Sequence, residues 1–213
     1  MFAVKKTLWK LKSLLKISSL PDKDTLKQLL LSTESILNDI NSHLPVFYLR
    51  KNNTHLKYKY NSSEIEEELA HPEKYSNSLL HDLVSKSNLS ADEFVAAAQP
   101  GSSPLQTSLR DYVKERIRRY INIGFSTVYK TEWTYFDVDF NGGYVIFSMK
   151  TEDGVAMPLN ERSDGLKYFL DLYIDVSSRS SISPRKSVVY LIDEPGTSLH
   201  ADAQKDLLQF FHD

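Results

Sequence analysis

Two adjacent carboxylates, Asp193 and Glu194, stand at the end of the apolar run Val188-Val189-Tyr190-Leu191-Ile192, and Pro195, Gly196 and a polar turn to His200 come after them. An apolar run of this kind fits a central strand buried on both faces. The residues just past such a strand lie at the carboxyl edge of a sheet, where ligands bind in open α/β folds. Asp193 can there hold part of a magnesium shell, and Glu194 can orient and deprotonate a water attacking a phosphate. A strand that merely ends in a polar turn is the bland alternative. A metal-dependent hydrolase built on the same pair is another. It lacks a histidine cluster, because His43, His55, His71, His81, His200 and His212 lie at no ligand spacing.

A second constellation lies upstream. Leu159-Asn160-Glu161-Arg162-Ser163-Asp164-Gly165 leads into a helical pattern with Leu166, Phe169, Leu170, Tyr173 and Ile174 on one side. A serine hydroxyl with backbone N–H groups at a helix N-terminus makes an anion site. Ser163 or Asp164 serving only as a helix cap is the simpler alternative. A phosphate-binding loop G-x-x-x-x-G-K-[ST] is not found. The seven glycines are Gly101, Gly124, Gly142, Gly143, Gly154, Gly165 and Gly196, and none precedes a lysine.

The elements that must position these groups are read from periodicity. Leu8 to Ile17 reads as a helix, broken at Pro21. A second helical stripe runs through Leu26, Leu29, Leu30, Ile36, Leu37 and Ile40. Residues 46–50 and 55–60 read as short strands around a turn at 51–54. Ser63 with Glu66, and Ser90 with Glu93, form capping boxes. Ser103-Pro104 opens a long helix. Leu109, Tyr112, Val113, Ile117, Tyr120 and Ile121 would form its buried face, and Arg110, Lys114, Arg116, Arg118 and Arg119 its basic face. That face could meet nucleic-acid phosphates or could be a solvated surface. Thr134, Phe136, Val138 and Phe140 alternate as one strand face. Asn141-Gly142-Gly143 signals a hairpin, and a turn at 151–154 closes the return strand. Residues 177–187 read as a polar loop, and a last helix begins near Asp202.

Composition sets the outer limits. The chain has 213 residues, 41% hydrophobic and 25% charged, with a formal net charge of -2 and no cysteine. These are ordinary globular values with no global basic field. Disulfides and thiolate chemistry are excluded. No apolar run approaches the roughly 20 residues a membrane helix needs, so a cytoplasmic protein without membrane partner is expected. The lysine-rich, leucine-spaced start could be a transit or membrane-surface helix, but it fits better as part of a helical arm.

Residues 188–192 with Asp193-Glu194 have the form of a Walker B strand. The segment Leu191 to Phe211 resembles the corresponding segment of overcoming-lysogenisation-defect (OLD) proteins and related AAA-type ATPases, through Leu199, His200, Ala203, Gln204 and Leu207. Ala201 stands where those proteins usually carry proline. Pro195 to His200 is similar to the D-loop of ABC-type ATPases of the SMC/RecF kind. The 161–165 segment stands in the place of their signature motif.

The resemblance implies an α/β fold: a partial P-loop NTPase (ABC-ATPase-like) head with a helical insertion and an antiparallel β-hairpin. Residues 1–45 would be a helical arm and 46–213 a partial ATPase core. The core would have a helical subdomain over 63–125, with signature and Walker B over 158–213. It further implies ATP and Mg2+ as cofactors, Glu194 as catalytic base and Asp193 as the magnesium-side ligand. Ser163, Asp164, Gly165, Arg162 and His200 would contact nucleotide. The partner would be a second copy packed head to tail, or another ATPase half, and the setting nucleic-acid processing or phage defence. Lacking a Walker A loop, the chain is expected to be a head cut at both ends: a truncated gene, an excised fragment or half of a split protein. It should bind ATP weakly and not hydrolyse it alone. A non-catalytic interaction module derived from such an ATPase is the alternative.

Overall fold

The computed structural model describes residues 46–50, 55–71, 74–75, 78–182 and 188–212, together with residues 24, 27, 28, 31–36 and 39. The elements in order are β1 (Val46–Arg50), β2 (Lys59–Asn61), α1 (Ser62–Ala70), α2 (Leu79–Lys86), α3 (Ala91–Ala98) and α4 (Pro104–Val128). Then come β3 (Tyr135–Asn141), β4 (Tyr144–Lys150), β5 (Ala156–Pro158), a 3-10 turn (Leu159–Glu161), α5 (Asp164–Ile182), β6 (Val188–Ile192) and α6 (Ala201–His212). The chain divides into two compact units, one of residues 1–48 with 184–189 and one of residues 49–183 with 190–213. In the first, residues 31–36 are helical. The helix expected over Leu8 to Ile17 and the turn at 51–54 lie outside the described residues.

The second unit is built on an antiparallel sheet in the order β2-β4-β3. β5 pairs with residues 148–150 of β4, beyond the stretch that β2 pairs with at 144–146. Phe136, Val138 and Phe140 of β3 sit opposite Met149, Phe147 and Val145 of β4, and all six are buried. The two-residue turn between them places both Gly142 (φ 59) and Gly143 (φ 81) in the left-handed region, as a hairpin turn of this length requires. α4 lies across β3, and α5 packs on α2. Asn122 of α4 closes the outer edge of β3. Its side chain accepts from Phe136 N–H at 2.7 Å and donates to Phe136 C=O at 2.8 Å, as a neighbouring strand would.

Several local expectations hold. Ser90 and Glu93 form a reciprocal capping box. Ser103 caps α4, with Pro104 in its first turn. Others shift. The first capping box is Asn61 with Glu64, not Ser63 with Glu66, because the chain leaves the sheet at Asn61 and the helix begins at once. Of the expected 55–60 strand, only Lys59 and Tyr60 lie in β2, which runs on to Asn61, and Tyr58 C=O adds one bond from Phe147 N–H at 2.8 Å. Tyr112 and Tyr120 are exposed, while Asn122 and Phe125 complete the buried face of α4. The expected polar loop is helix up to Ile182. Ser178 is buried there and donates to Asp175 C=O, and Arg179 bonds Asp175, so its polar residues are used inside the fold. β6 is half-buried rather than buried on both faces: it pairs with β1, and Leu191 stays 48% exposed.

Candidate functional site

α5 and the turn after β6 build the site together. α5 begins as expected: Ser163 Oγ accepts from Leu166 N–H at 3.3 Å, and Ser163 C=O accepts from Lys167 N–H at 3.1 Å. Ser163 therefore caps the helix and, being exposed, keeps its own hydroxyl proton available. Gly165 sits in the first turn because nothing larger fits. A Cβ there would lie 2.8 Å from Ser198 C=O and 3.3 Å from Leu199 Cδ2. The N-terminus of α5 and the turn carrying Glu194 thus meet at backbone distance.

That turn is tightly determined. Glu194 has φ 46 and Gly196 φ 91, so the chain reverses just past β6 through two left-handed residues. Left-handed non-glycine residues are uncommon and gather at functional turns. Thr197 bonds Glu194 C=O through its hydroxyl at 3.1 Å, and Leu199 N–H bonds Gly196 C=O at 3.0 Å. Gln204 of α6 donates to Gly196 C=O at 3.3 Å and to Leu199 C=O at 3.1 Å. Leu199, Ala203 and Leu207 are buried beneath it. The sequence pattern from Leu199 to Leu207 is therefore the anchoring of this turn.

Between the two elements opens a cavity of about 300 Å³ lined by His55, Asp164, Lys167, Tyr168, Glu194, Thr197 and Ser198. Glu194 and Asp164, named from sequence, line it, and Ser163 and Gly165 flank Asp164 in the chain, with Gly165 against Ser198 and Leu199. Asp193 is exposed next to Glu194. Arg162 turns away. Its guanidinium is 10% exposed and donates to Glu132 at 2.8 Å, so it ties the signature-like segment to the stretch before β3. His200 is exposed, and its carbonyl accepts the first backbone bond of α6, from Gln204 N–H at 2.9 Å.

Sequence reasoning missed His55, Lys167, Tyr168 and Asp171. His55 Nδ1 lies 2.9 Å from Asp171 Oδ2, across 116 residues of chain. That hydrogen bond raises the imidazole pKa above its usual value, against partial burial and the nearby Arg50 and Lys167 cations. Asp171 and Asp175 are almost wholly buried, at 1% and 2% exposure. Two acids four apart inside an otherwise apolar helical run were the available signal. Arg50, also buried, donates to Asp175 at 2.7 Å.

Among the described residues no group of three or more His, Asp or Glu side chains is placed to hold a metal. Magnesium needs no such cage, because it keeps waters and takes one or two carboxylates alongside substrate phosphates. Two exposed carboxylates side by side at a strand end suit that pattern.

The basic face of α4 is largely spent within the fold. Arg110 donates to the carbonyls of Ala97, Gln99 and Gly101. Lys114 pairs with Asp139, and Arg118 with Asp137. Arg116 donates to the carbonyls of Ser87 and Asn88 and lies over Tyr120. Arg119 is exposed. No helix among the described residues is long and apolar enough to cross a membrane.

A family model described as "AAA domain, putative AbiEii toxin, Type IV TA system" matches residues 20–213. Neither curated proteins nor solved structures gave a match. The chain belongs to this AAA-domain family. Its mixed helix-and-strand architecture is compatible with an AAA-like α/β domain.

Proposed function

We propose that this member of the AAA-domain family supplies the acid-and-signature side of a composite ATP site. The observation that carries the proposal is the cavity in which the N-terminus of α5 and the Glu194 turn line one wall each. Asp193 would hold Mg2+, whose charge would offset that of bound phosphates. Glu194 would hold and deprotonate the attacking water. Ser163 and the free N–H groups of the first turn of α5 would bind phosphate oxygens. Another ATPase half would supply the phosphate loop that this sequence lacks, whereas a second copy packed head to tail would lack the loop as well and would leave the site without it. OLD-like descent and a role in nucleic-acid processing or phage defence belong to the same proposal. The family description, which names a toxin of a toxin–antitoxin system, is compatible with that setting.

Equilibrium binding of ATP with Mg2+ to the 213-residue chain tests the reading. Weak binding, reduced by Asp193→Asn and without turnover, supports it. Glu194-dependent hydrolysis by the chain alone overturns the need for a partner. The sequence feature favouring the second reading, a non-catalytic interaction module, is the missing phosphate loop, and complete absence of ATP binding would select it. A nucleic-acid partner on the Arg110–Arg119 face is a separate proposal. Charge reversal at Lys114 and Arg119 with unchanged nucleic-acid affinity removes it.

A further inference from the structure

The cavity is lined by His55, to which the composite ATP site as proposed assigns no role, and behind His55 stands Asp171. His55 lines it with a side chain 57% exposed, while its partner Asp171 is 2% exposed. The Asp171 carboxylate is fixed twice, by the imidazole at 2.9 Å and by Leu56 N–H at 3.3 Å. Nδ1 is the committed ring nitrogen, so Nε2 is left for a ligand. A carboxylate behind an imidazole fixes its orientation and favours the charged form, in which Nε2 can only donate. A buried acid gripping an exposed histidine is costly as plain architecture, because desolvating a carboxylate is repaid only by good partners. It is well suited to presenting a cation.

Lys167 lines the same cavity, one helical turn before Asp171, and bridges Asp164 at 2.8 Å. Asp164 is 86% exposed in that pair, so the bond holds Lys167 only loosely. Tyr168, nine-tenths buried, also lines the cavity. The acids facing the cavity are Glu194 on the turn and Asp164 at its rim. The His55, Lys167 and α5 N-terminal end is therefore where an anion would be held, with Glu194 to one side.

We propose that His55, held by Asp171, is an additional oxyanion-binding residue of this cavity, donating from Nε2 to a phosphate-class anion that Lys167 also reaches. The proposal rests on the phosphate-facing reading of the α5 N-terminus and adds to it a residue from the loop before β2. His55 acts here as a positioning cation and takes no part in bond making.

Sulfate is a suitable probe because its charge is constant from about pH 6 to about pH 9. Sulfate titration of the full chain, followed by the His55 ring resonances and the Lys167 amide, should show saturable binding at about pH 6. The affinity should fall as pH rises through the elevated His55 pKa. The groups facing that imidazole are Asp171, Arg50, Lys167, Asp164 and Glu194. His55→Gln should weaken binding about three- to tenfold, because glutamine keeps a neutral donor and loses only the charge assistance, and flatten the pH profile. Asp171→Asn should keep the donor but move the profile to lower pH, which a merely structural His55 would not do. Repeating the titration with ATP separates two sources of the same chemistry. Much tighter binding assigns the anion to a nucleotide phosphate, and comparable binding assigns it to free oxyanion. Sulfate binding that Lys167→Ala weakens and His55→Gln leaves unchanged overturns this inference alone. Absence of any sulfate response at His55, Lys167 and Ser163 overturns it together with the phosphate-facing role of α5.

Discussion

Replacing Gly165 with alanine sets two effects of known sign against each other. In a helix, alanine is favoured over glycine by about 1 kcal/mol, and by less in the first turn. On propensity alone Gly165→Ala should raise stability slightly. The new Cβ, however, would lie 2.8 Å from Ser198 C=O and 3.3 Å from Leu199 Cδ2. Relief requires the turn to retreat by roughly half an ångström to reach ordinary contact distances. It cannot retreat freely, because Gln204 holds two of its carbonyls and Leu199 is 6% exposed. Overpacking of this kind costs about 1–3 kcal/mol, so the net effect is a loss of up to about 2 kcal/mol. At roughly 2–4 °C per kcal/mol for a chain of this size, the melting temperature should fall by several degrees. Amide resonances of Glu194, Thr197 and Ser198 should shift with it. Gly101→Ala is the control, since its Cβ would meet only the Gln106 side chain, at 3.6 Å from Cγ. A melting temperature that rises on Gly165→Ala, with the turn resonances unmoved, would refute the close docking of turn on helix and with it the shared cavity.

Asn122→Leu should cost about 2–4 kcal/mol in urea unfolding, because it leaves both backbone groups of Phe136 unpaired in the interior. A loss under about 1 kcal/mol would contradict its role as edge closure. Arg50→Met should cost about 2–4 kcal/mol, less than a pair stripped of all partners, since Asp175 keeps Arg179 at 2.8 Å. Arg50→Met with Asp175→Asn should lose less than Arg50→Met alone. Burial pushes the Asp82 carboxyl up to about 6, with Arg179 pulling the other way. A raised carboxyl pKa means that stability falls as pH rises from about 4 to about 6, with a charged-form cost of about 1–3 kcal/mol above that. Asp82→Asn should therefore stabilise the protein at about pH 7.5 and be neutral near pH 4, and a stabilisation of equal size at both would exclude titration as the cause.

What could be read from the sequence was whatever a short window determines. Alternation gave the β3 face, the two glycines gave the hairpin, and Ser90 and Ser103 gave helix starts, because each depends on residues a few positions apart. The site was legible to the same extent. Asp164 and Glu194 belong to local motifs and line the same cavity. His55 belongs to no such motif, because its meaning comes from Asp171, 116 residues away. The surroundings of the basic face of α4 were hidden for the same reason: its partners are the carbonyls of Ala97, Gln99 and Asn88 and the carboxylates of Asp137 and Asp139, which lie far away in sequence. The loop expected at 177–187 is helix over 177–182, where composition outweighed context, and residues 183–187 lie outside the described residues. A serine-rich run reads as solvent-exposed until Asp175 and Asp82 are known to receive Ser178 and Arg179.

The position of α5 explains why buried charge gathers where it does. Ser163, Lys167, Asp171, Asp175 and Arg179 succeed one another at four-residue intervals. Such a row advances about 6 Å per step and turns about 40° around the helix each time. A row that starts at the exposed end must therefore wind into the core. Ser163 is exposed, Lys167 lines the cavity, and Asp171 and Asp175 are buried. Every member has its own partner: Leu166 N–H, Asp164, His55 with Leu56 N–H, Arg50, and Asp82 respectively. A purely apolar row would pack the core as well and would lack the desolvation cost. The polar row fixes the rotation of α5 about its axis, since a slip of one residue would carry Asp171 and Asp175 away from His55 and Arg50 at once. That rotation sets which face of the first turn meets the Glu194 turn, and only the face with Gly165 allows the backbones to touch. The buried acids thus act on the site at a distance, by deciding which residue of α5 stands against the carboxylates after β6.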